Sequence, residues 1–155
     1  MPTLNLQNEN DTLAFGKALA DLAVAGDVIT LSGPLGAGKT VLARGFIARR
    51  VGAKVDVTSP TFTLAHVHDT VTPPIWHFDF YRLKSPREVE EIGLDEALAG
   101  GISLIEWPER ATAYLPQERL DIELSPEGAS RIARLSASSS WKTRLERLLK
   151  ARGAA

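Results

Sequence analysis

The 155-residue chain carries 18 Lys and Arg against 19 Asp and Glu, a formal net charge of −1, with 44% hydrophobic and 24% charged residues. That balance fits one folded domain spanning residues 1–155 and argues against disorder, which needs few apolar residues and high net charge. The absence of cysteine excludes disulfides, thiol catalysis and thiolate zinc sites, and no apolar run approaches the roughly 18 residues of a membrane helix.

The start, Met1-Pro2-Thr3-Leu4-Asn5, has neither the basic nor the apolar stretch of a signal peptide, so the cytoplasm is the expected location. Thr3–Leu6 is expected to form a strand, and Asn10 or Asp11 to cap a helix with Phe15, Leu19, Leu22 and Ala23 on its apolar face. Gly26-Asp27 should end that helix, and Val28–Ser32 reads as a short buried strand. A loop follows at 33–38. Residues 39–50 return to helical period with Leu42, Phe46 and Ile47 on one side, and Gly52 is the expected stop.

Residues 62–68 and 75–81 read as strands separated by Asp69 and Pro73-Pro74. In the second, Trp76, Phe78 and Phe80 alternate with His77, Asp79 and Tyr81. Ser85-Pro86-Arg87-Glu88 has the pattern of a capping box, opening a helix to about Leu98 that Gly93 interrupts and Gly100-Gly101 closes. A buried strand over 102–105 leads into Glu106-Trp107-Pro108. Residues 120–124 and 132–135 alternate around Ser125-Pro126-Glu127-Gly128, predicting an antiparallel pair, and Trp141, Leu145, Leu148 and Leu149 predict a terminal amphipathic helix at about 140–152. Strands alternating with helices, then a late antiparallel pair, indicate an α/β fold with a mixed sheet.

Gly33-Pro34-Leu35-Gly36-Ala37-Gly38-Lys39-Thr40 matches G-x-x-x-x-G-K-[ST] in full. Average residue usage gives a chance match in a chain this long at roughly one in two hundred, and the match falls where such a loop must, between a strand and a helix. Glycines let the backbone curl so that N–H groups face phosphate oxygens, and the helix N-terminus adds partial positive charge. Lys39 is expected to reach the β- and γ-phosphates, and the Thr40 hydroxyl to ligate Mg²⁺. The competing expectation is a glycine-rich turn with an incidental lysine.

Such a site needs a further acid for the metal and a group that places the nucleophile. Asp79 and Glu106 stand at the ends of predicted strands, where open α/β sheets bind ligands. The bland alternative for each is an ion pair with Arg82 or Arg110. Ser59-Pro60-Thr61 could bring a hydroxyl towards the γ-phosphate, or be a simple turn. His77 could bond the reacting groups, although a lone strand histidine is more often structural. His66 and His68 lack a third metal ligand nearby, and Trp107 could stack on a base or simply pack.

The four segments G-P-L-G-A-G-K-T, S-P-T-F-T-L, H-F-D-F-Y-R-L and L-I-E-W-P-E, in that order, resemble the bacterial TsaE (YjeE) family from about Thr12 to Leu124. These are small P-loop ATPases required for threonylcarbamoyladenosine modification of tRNA. The resemblance implies a P-loop NTPase-like three-layer fold with central parallel strands and antiparallel strands at the edges. It implies ATP bound across Gly33, Pro34, Leu35, Gly36, Ala37, Gly38, Lys39, Thr40 and Thr61, and Mg²⁺ held by Thr40, Asp79 and Glu106. Lys39, Glu106 and Asp79 are implied as the catalytic residues. In the family, slow ATP hydrolysis drives turnover of a TsaB–TsaD complex, which performs the carbamoyl transfer.

Two other classes share the loop. A small-molecule or nucleoside kinase normally carries an Arg-rich lid, yet Arg110 and Arg119 are sparse for one. A GTPase selects guanine through N/T-K-x-D, and the nearest text, Ala53-Lys54-Val55-Asp56, starts with the wrong residue and lies too close to the loop. Finally, residues 131–152 hold seven bases and one acid, +6, against −7 in the remainder. Near-neutral bulk charge therefore conceals a basic tail. Lys142, Arg144, Arg147 and Lys150 are candidates for docking on tRNA or a partner complex, set against an ordinary solvated helix face.

Overall fold

A computed structural model describes residues 2–52 and 57–152. The nearest match to a guanine motif, Ala53-Lys54-Val55-Asp56, falls outside the described residues. Seven strands, β1 (Thr3–Leu6), β2 (Val28–Ser32), β3 (Ala65–His68), β4 (Ile75–Asp79), β5 (Ile102–Glu106), β6 (Leu120–Glu127) and β7 (Ser130–Ala137), form one sheet in the order β1-β7-β6-β2-β5-β4-β3. β6, β2, β5 and β4 run parallel, while β1 and β7 on one side and β3 on the other are antiparallel to their neighbours. This is the expected mixed sheet.

Burial follows the pairing. All of β5 and four of the five residues in each of β2 and β4 are buried, as parallel strands covered on both faces must be. β6 and β7 instead alternate between buried and open positions, because only one of their faces is covered. Helices α1 (Glu9–Leu22), α2 (Lys39–Val51) and α5 (Ser139–Ala151) bury Phe15, Leu19, Leu42, Phe46, Trp141 and Leu145 against one face. Helices α3 (Glu88–Glu91) and α4 (Leu94–Gly100) pack Val89, Leu94 and Ala97 on Phe78, Phe80 and Ile105 of the other. Three layers therefore span the half containing the parallel core. Beyond β2, Thr30, Ser32, Asp121, Glu123, Arg134 and Ser136 line an open polar groove.

Local chemistry shifts several boundaries from those expected. Asn8, not Asn10 or Asp11, caps α1: its side chain accepts the Asp11 N–H at 2.9 Å, while Asp11 Oδ2 accepts the Gln7 N–H at 2.9 Å. These reciprocal bonds serve two donors the helix cannot. β3 begins only at Ala65, because Leu64 turns into left-handed backbone (φ 69°) with its N–H bonded to Pro60 O. β6 runs on through Glu127, and the hairpin turns at Gly128-Ala129 rather than Ser125–Gly128. Pro126 is tolerated in the strand because pairing with β2 ends at Glu123, leaving no ladder donor required on that side. At the capping box only the Glu88 half forms, accepting the Lys84 and Ser85 N–H groups.

The basic tail is the largest departure from expectation. Arg144 forms a bidentate pair with Asp27 (2.7 and 3.1 Å), donates to Leu22 O and stacks over Trp141. It locks α5 to the end of α1 and is unavailable for docking. Arg131 binds loop carbonyls, Arg134 pairs with Glu123, and Arg152 lies over Phe15. On α5 the exposed bases are Lys142, Arg147 and Lys150.

What sets α2 against the sheet is its approach to α1. A Cβ on Gly16 would collide with the Leu42 carbonyl oxygen, and one on Gly45 with that of Leu13, so the two backbones meet with no side chain between them. Gly16→Val must push the helices apart. It is expected to cost about 1–3 kcal/mol, as overpacked cores do, and to lower the thermal midpoint by roughly 5–10 °C; an unchanged melt followed by circular dichroism would show that the pair separates freely.

Candidate functional site

The site grows from the end of β2. Ser32 leads into residues 33–38, and α2 starts at Lys39, so the loop joins a buried strand to a 13-residue helix. Gly33 combines φ 135° with a position where a Cβ would strike Leu124 O; no other residue fits. The first N–H groups of α2 have no intrahelical acceptor, and the helix dipole places positive potential on them. Arg131, reaching over from β7, donates from Nε to Ala37 O (3.0 Å) and from Nη2 to Gly36 O (3.1 Å), pinning the loop from outside.

Lys39 is buried, its ammonium donating to the carbonyls of Gly33 and Pro34 and lying 4.2 Å from the Trp107 ring centre. Burial pulls its pKa below the ordinary lysine value, opposed by the carboxylates of Glu106, Glu109 and Asp79. Trp107 itself adopts left-handed backbone (φ 58°) and packs on Tyr81, with ring centres 4.7 Å apart. Its role here is to wall the lysine.

Glu106 closes β5, in register with Leu31 of β2 and Asp79 of β4. The two acids thus stand side by side at the carboxyl ends of adjacent parallel strands, 2% and 3% exposed. Neither takes the arginine partner of the bland alternative: Arg82 lies over Phe62 and Arg110 over Tyr81. Glu106 accepts the Thr40 hydroxyl at 3.0 and 3.1 Å on its two oxygens, and His77 Nε2 lies 2.7 Å from Oε2. Asp79 accepts from Ser59 Oγ (2.6 Å), Thr61 Oγ1 (3.1 Å) and the Tyr81 N–H (2.9 Å). Ser59 and Thr61 are therefore tied to an acid of the site, not merely part of a turn.

One cavity of about 530 Å³ gathers these groups. Leu35, Gly36, Ala37, Gly38, Lys39, Thr40, Thr61, Asp79 and Glu106 line it; Gly33 and Pro34 stand behind, holding Lys39. The Thr40 hydroxyl and the two carboxylates are hard oxygen donors of the kind Mg²⁺ takes, usually through one or two carboxylates plus substrate phosphates. No group of three or more His, Asp or Glu poised as a metal centre occurs among the described residues. The cavity also includes Asn8, which caps α1, Glu9 and Thr12 of that helix, and Ala129 and Arg131 from the β6–β7 hairpin. Sequence gave no local signal for these. They enter only because the sheet order brings β7 and the start of α1 to the loop.

Comparison with known proteins places the chain in a family. A family profile described as "Threonylcarbamoyl adenosine biosynthesis protein TsaE" matches residues 6–134. The tRNA threonylcarbamoyladenosine biosynthesis protein TsaE of Bacillus subtilis is 43% identical over 122 residues, covering 78% of this chain and 75% of that one. Its namesake in Mycobacterium bovis is 41% identical over 131 residues (79% and 77%), and that of Rickettsia felis 40% over 121 residues (78% and 71%). The crystal structure of Bacillus subtilis YdiB superposes with a TM-score of 0.80 at 30% identity, covering 97% of this chain and 95% of its own. The chain belongs to the TsaE family of threonylcarbamoyladenosine biosynthesis proteins.

Proposed function

We propose that the protein binds Mg·ATP across residues 33–40 and hydrolyses it to drive turnover of a TsaB–TsaD complex in tRNA threonylcarbamoyladenosine formation. The observation that carries the reading is the Thr40–Glu106 contact, which joins the phosphate loop to a buried strand-end carboxylate. Thr40, with Asp79 and Glu106 alongside, would hold Mg²⁺. When bound, the ion would supply positive charge to offset that of the phosphates.

The chain's own residues do the rest. Lys39 exchanges its loop carbonyls for phosphate oxygens and meets the charge that develops on them. Glu106 orients the attacking water and takes its proton. The water oxygen bonds to the γ-phosphorus as the bridging P–O bond breaks, releasing ADP and phosphate. No covalent enzyme intermediate is needed, so catalysis is positioning and electrostatics. The hydroxyls of Ser59 and Thr61 on Asp79 couple the loop that carries them to the occupancy of the site. Lys142, Arg147 and Lys150 are the bases of α5 left to meet tRNA or the partner complex.

Lys39→Ala is expected to weaken ATP binding at least about tenfold and reduce hydrolysis to background. At saturating Mg²⁺, Glu106→Ala should keep ATP affinity within about threefold while hydrolysis falls by about two orders of magnitude or more. Fluorescent-nucleotide titration, and phosphate release with and without TsaB–TsaD, measure both. Retained turnover in the lysine variant overturns the site assignment. ATP turnover with water as sole acceptor, compared with added nucleosides and with GTP in place of ATP, separates the ATPase from a kinase or GTPase.

Reversing Lys142, Arg147 and Lys150 together to Glu should weaken association with the complex or tRNA and flatten its salt dependence. An association that stays as tight and as salt-sensitive as that of the native chain removes α5 from the interface.

A further inference from the structure

His77 is fully buried on β4, between the edge strand β3 and β5 and on the same face as Asp79. Its Nε2 lies 2.7 Å from Glu106 Oε2, and its Nδ1 has no partner among the described residues. A neutral imidazole carries one ring proton. Placing it on Nε2 makes the contact with the carboxylate and leaves Nδ1 a bare lone pair. Placing it on Nδ1 would bury an N–H with nothing to accept it and set two acceptors 2.7 Å apart. Buried orphan N–H groups are the rarer and costlier arrangement.

The Thr40 hydroxyl cannot fix the rotation of the Glu106 carboxylate, since it stands almost equally far from both oxygens, at 3.0 and 3.1 Å. His77 touches Oε2 alone. Its ring is stiff, with two side-chain torsions, and rides on a strand paired along both edges.

We propose that His77 is a positioning residue for the reaction: its Nε2–H, donated to Glu106 Oε2, sets the plane of that carboxylate and leaves Oε1 to the cavity and to Thr40. The role rests on the ATP-hydrolysing reading of the site. It makes His77 the outer partner of an acidic group at a metal and water site, the kind of contact whose loss costs about 10–100-fold in activity or metal affinity.

The test compares native chain, His77→Leu and His77→Gln, the last of which keeps an N–H donor at similar reach. His77→Leu should lose about 10–100-fold in kcat for Mg·ATP, with KM changing less than about threefold, and should need at least about tenfold more Mg²⁺ to tighten a non-hydrolysable ATP analogue. His77→Gln should restore both to within about fivefold. Long-range ¹H–¹⁵N correlation on the native chain should show His77 as the neutral Nε2–H tautomer, with its ring shifts moved by Glu106→Gln. Equal behaviour of the Leu and Gln variants, or an Nδ1–H tautomer, overturns the proposal. Should His77→Leu fail to fold, the Gln variant and the tautomer decide it. If the native chain hydrolyses no ATP even with the partner complex, the ATPase reading fails, whereas the tautomer and the magnesium titration still judge the histidine.

Discussion

Two carboxylates buried side by side impose the strongest constraint on this fold. Asp79 and Glu106 are register partners on β4 and β5, almost wholly removed from water, with no arginine or lysine in a salt bridge to either among the described residues. Burying charge without compensation is expensive. The surroundings are therefore organised to donate hydrogen bonds: Thr40 and His77 to Glu106, Ser59, Thr61 and the Tyr81 N–H to Asp79. Thr40 comes from α2, His77 from β4, Ser59 and Thr61 from one loop and Tyr81 from just beyond β4, so distant stretches of chain must converge to serve the two acids. Function and stability thus draw on the same set of bonds.

The helical scaffold serves that set. α2 carries Lys39 and Thr40, and its position is fixed by the backbone contact with α1 at Gly16 and Gly45 and by Arg131 clamping the loop before it. Arg144 fixes α5 to the end of α1 through Asp27. The side of the sheet bearing α1, α2 and α5 is accordingly closely tied together, while the groove beyond β2 on the opposite side stays polar and open.

Much of this was legible in the sequence where the signal is local. The eight-residue phosphate loop, the apolar runs of β2 and β5 and the aromatic alternation of β4 each act over a few residues, and each lies where the pattern placed it. Boundaries moved where a side chain outbid the pattern: Asn8 and Asp11 started α1 earlier, and left-handed backbone at Leu64 shortened β3. The roles of Gly16 and Gly45 were invisible because a close helix approach exists only once both helices are placed. Arg131 and Arg144 were counted as tail charge because their acceptors, loop carbonyls and Asp27, lie about a hundred residues away. Net charge by segment says nothing about which charges are already spoken for.

On the proposed nucleotide-binding reading, Lys39 gives the site a selectivity of its own. Its ammonium is bonded to Gly33 O and Pro34 O and sheltered by the Trp107 ring. Admission of a ligand is therefore an exchange reaction, in which incoming oxygens replace carbonyls and a π face in one move. A small or singly charged anion gives up its hydration shell for little in return. A polyphosphate, spreading several charges over the loop N–H groups and the lysine together, tips the exchange. On that reading the loop would count charge before any part of the nucleotide beyond its phosphates is read.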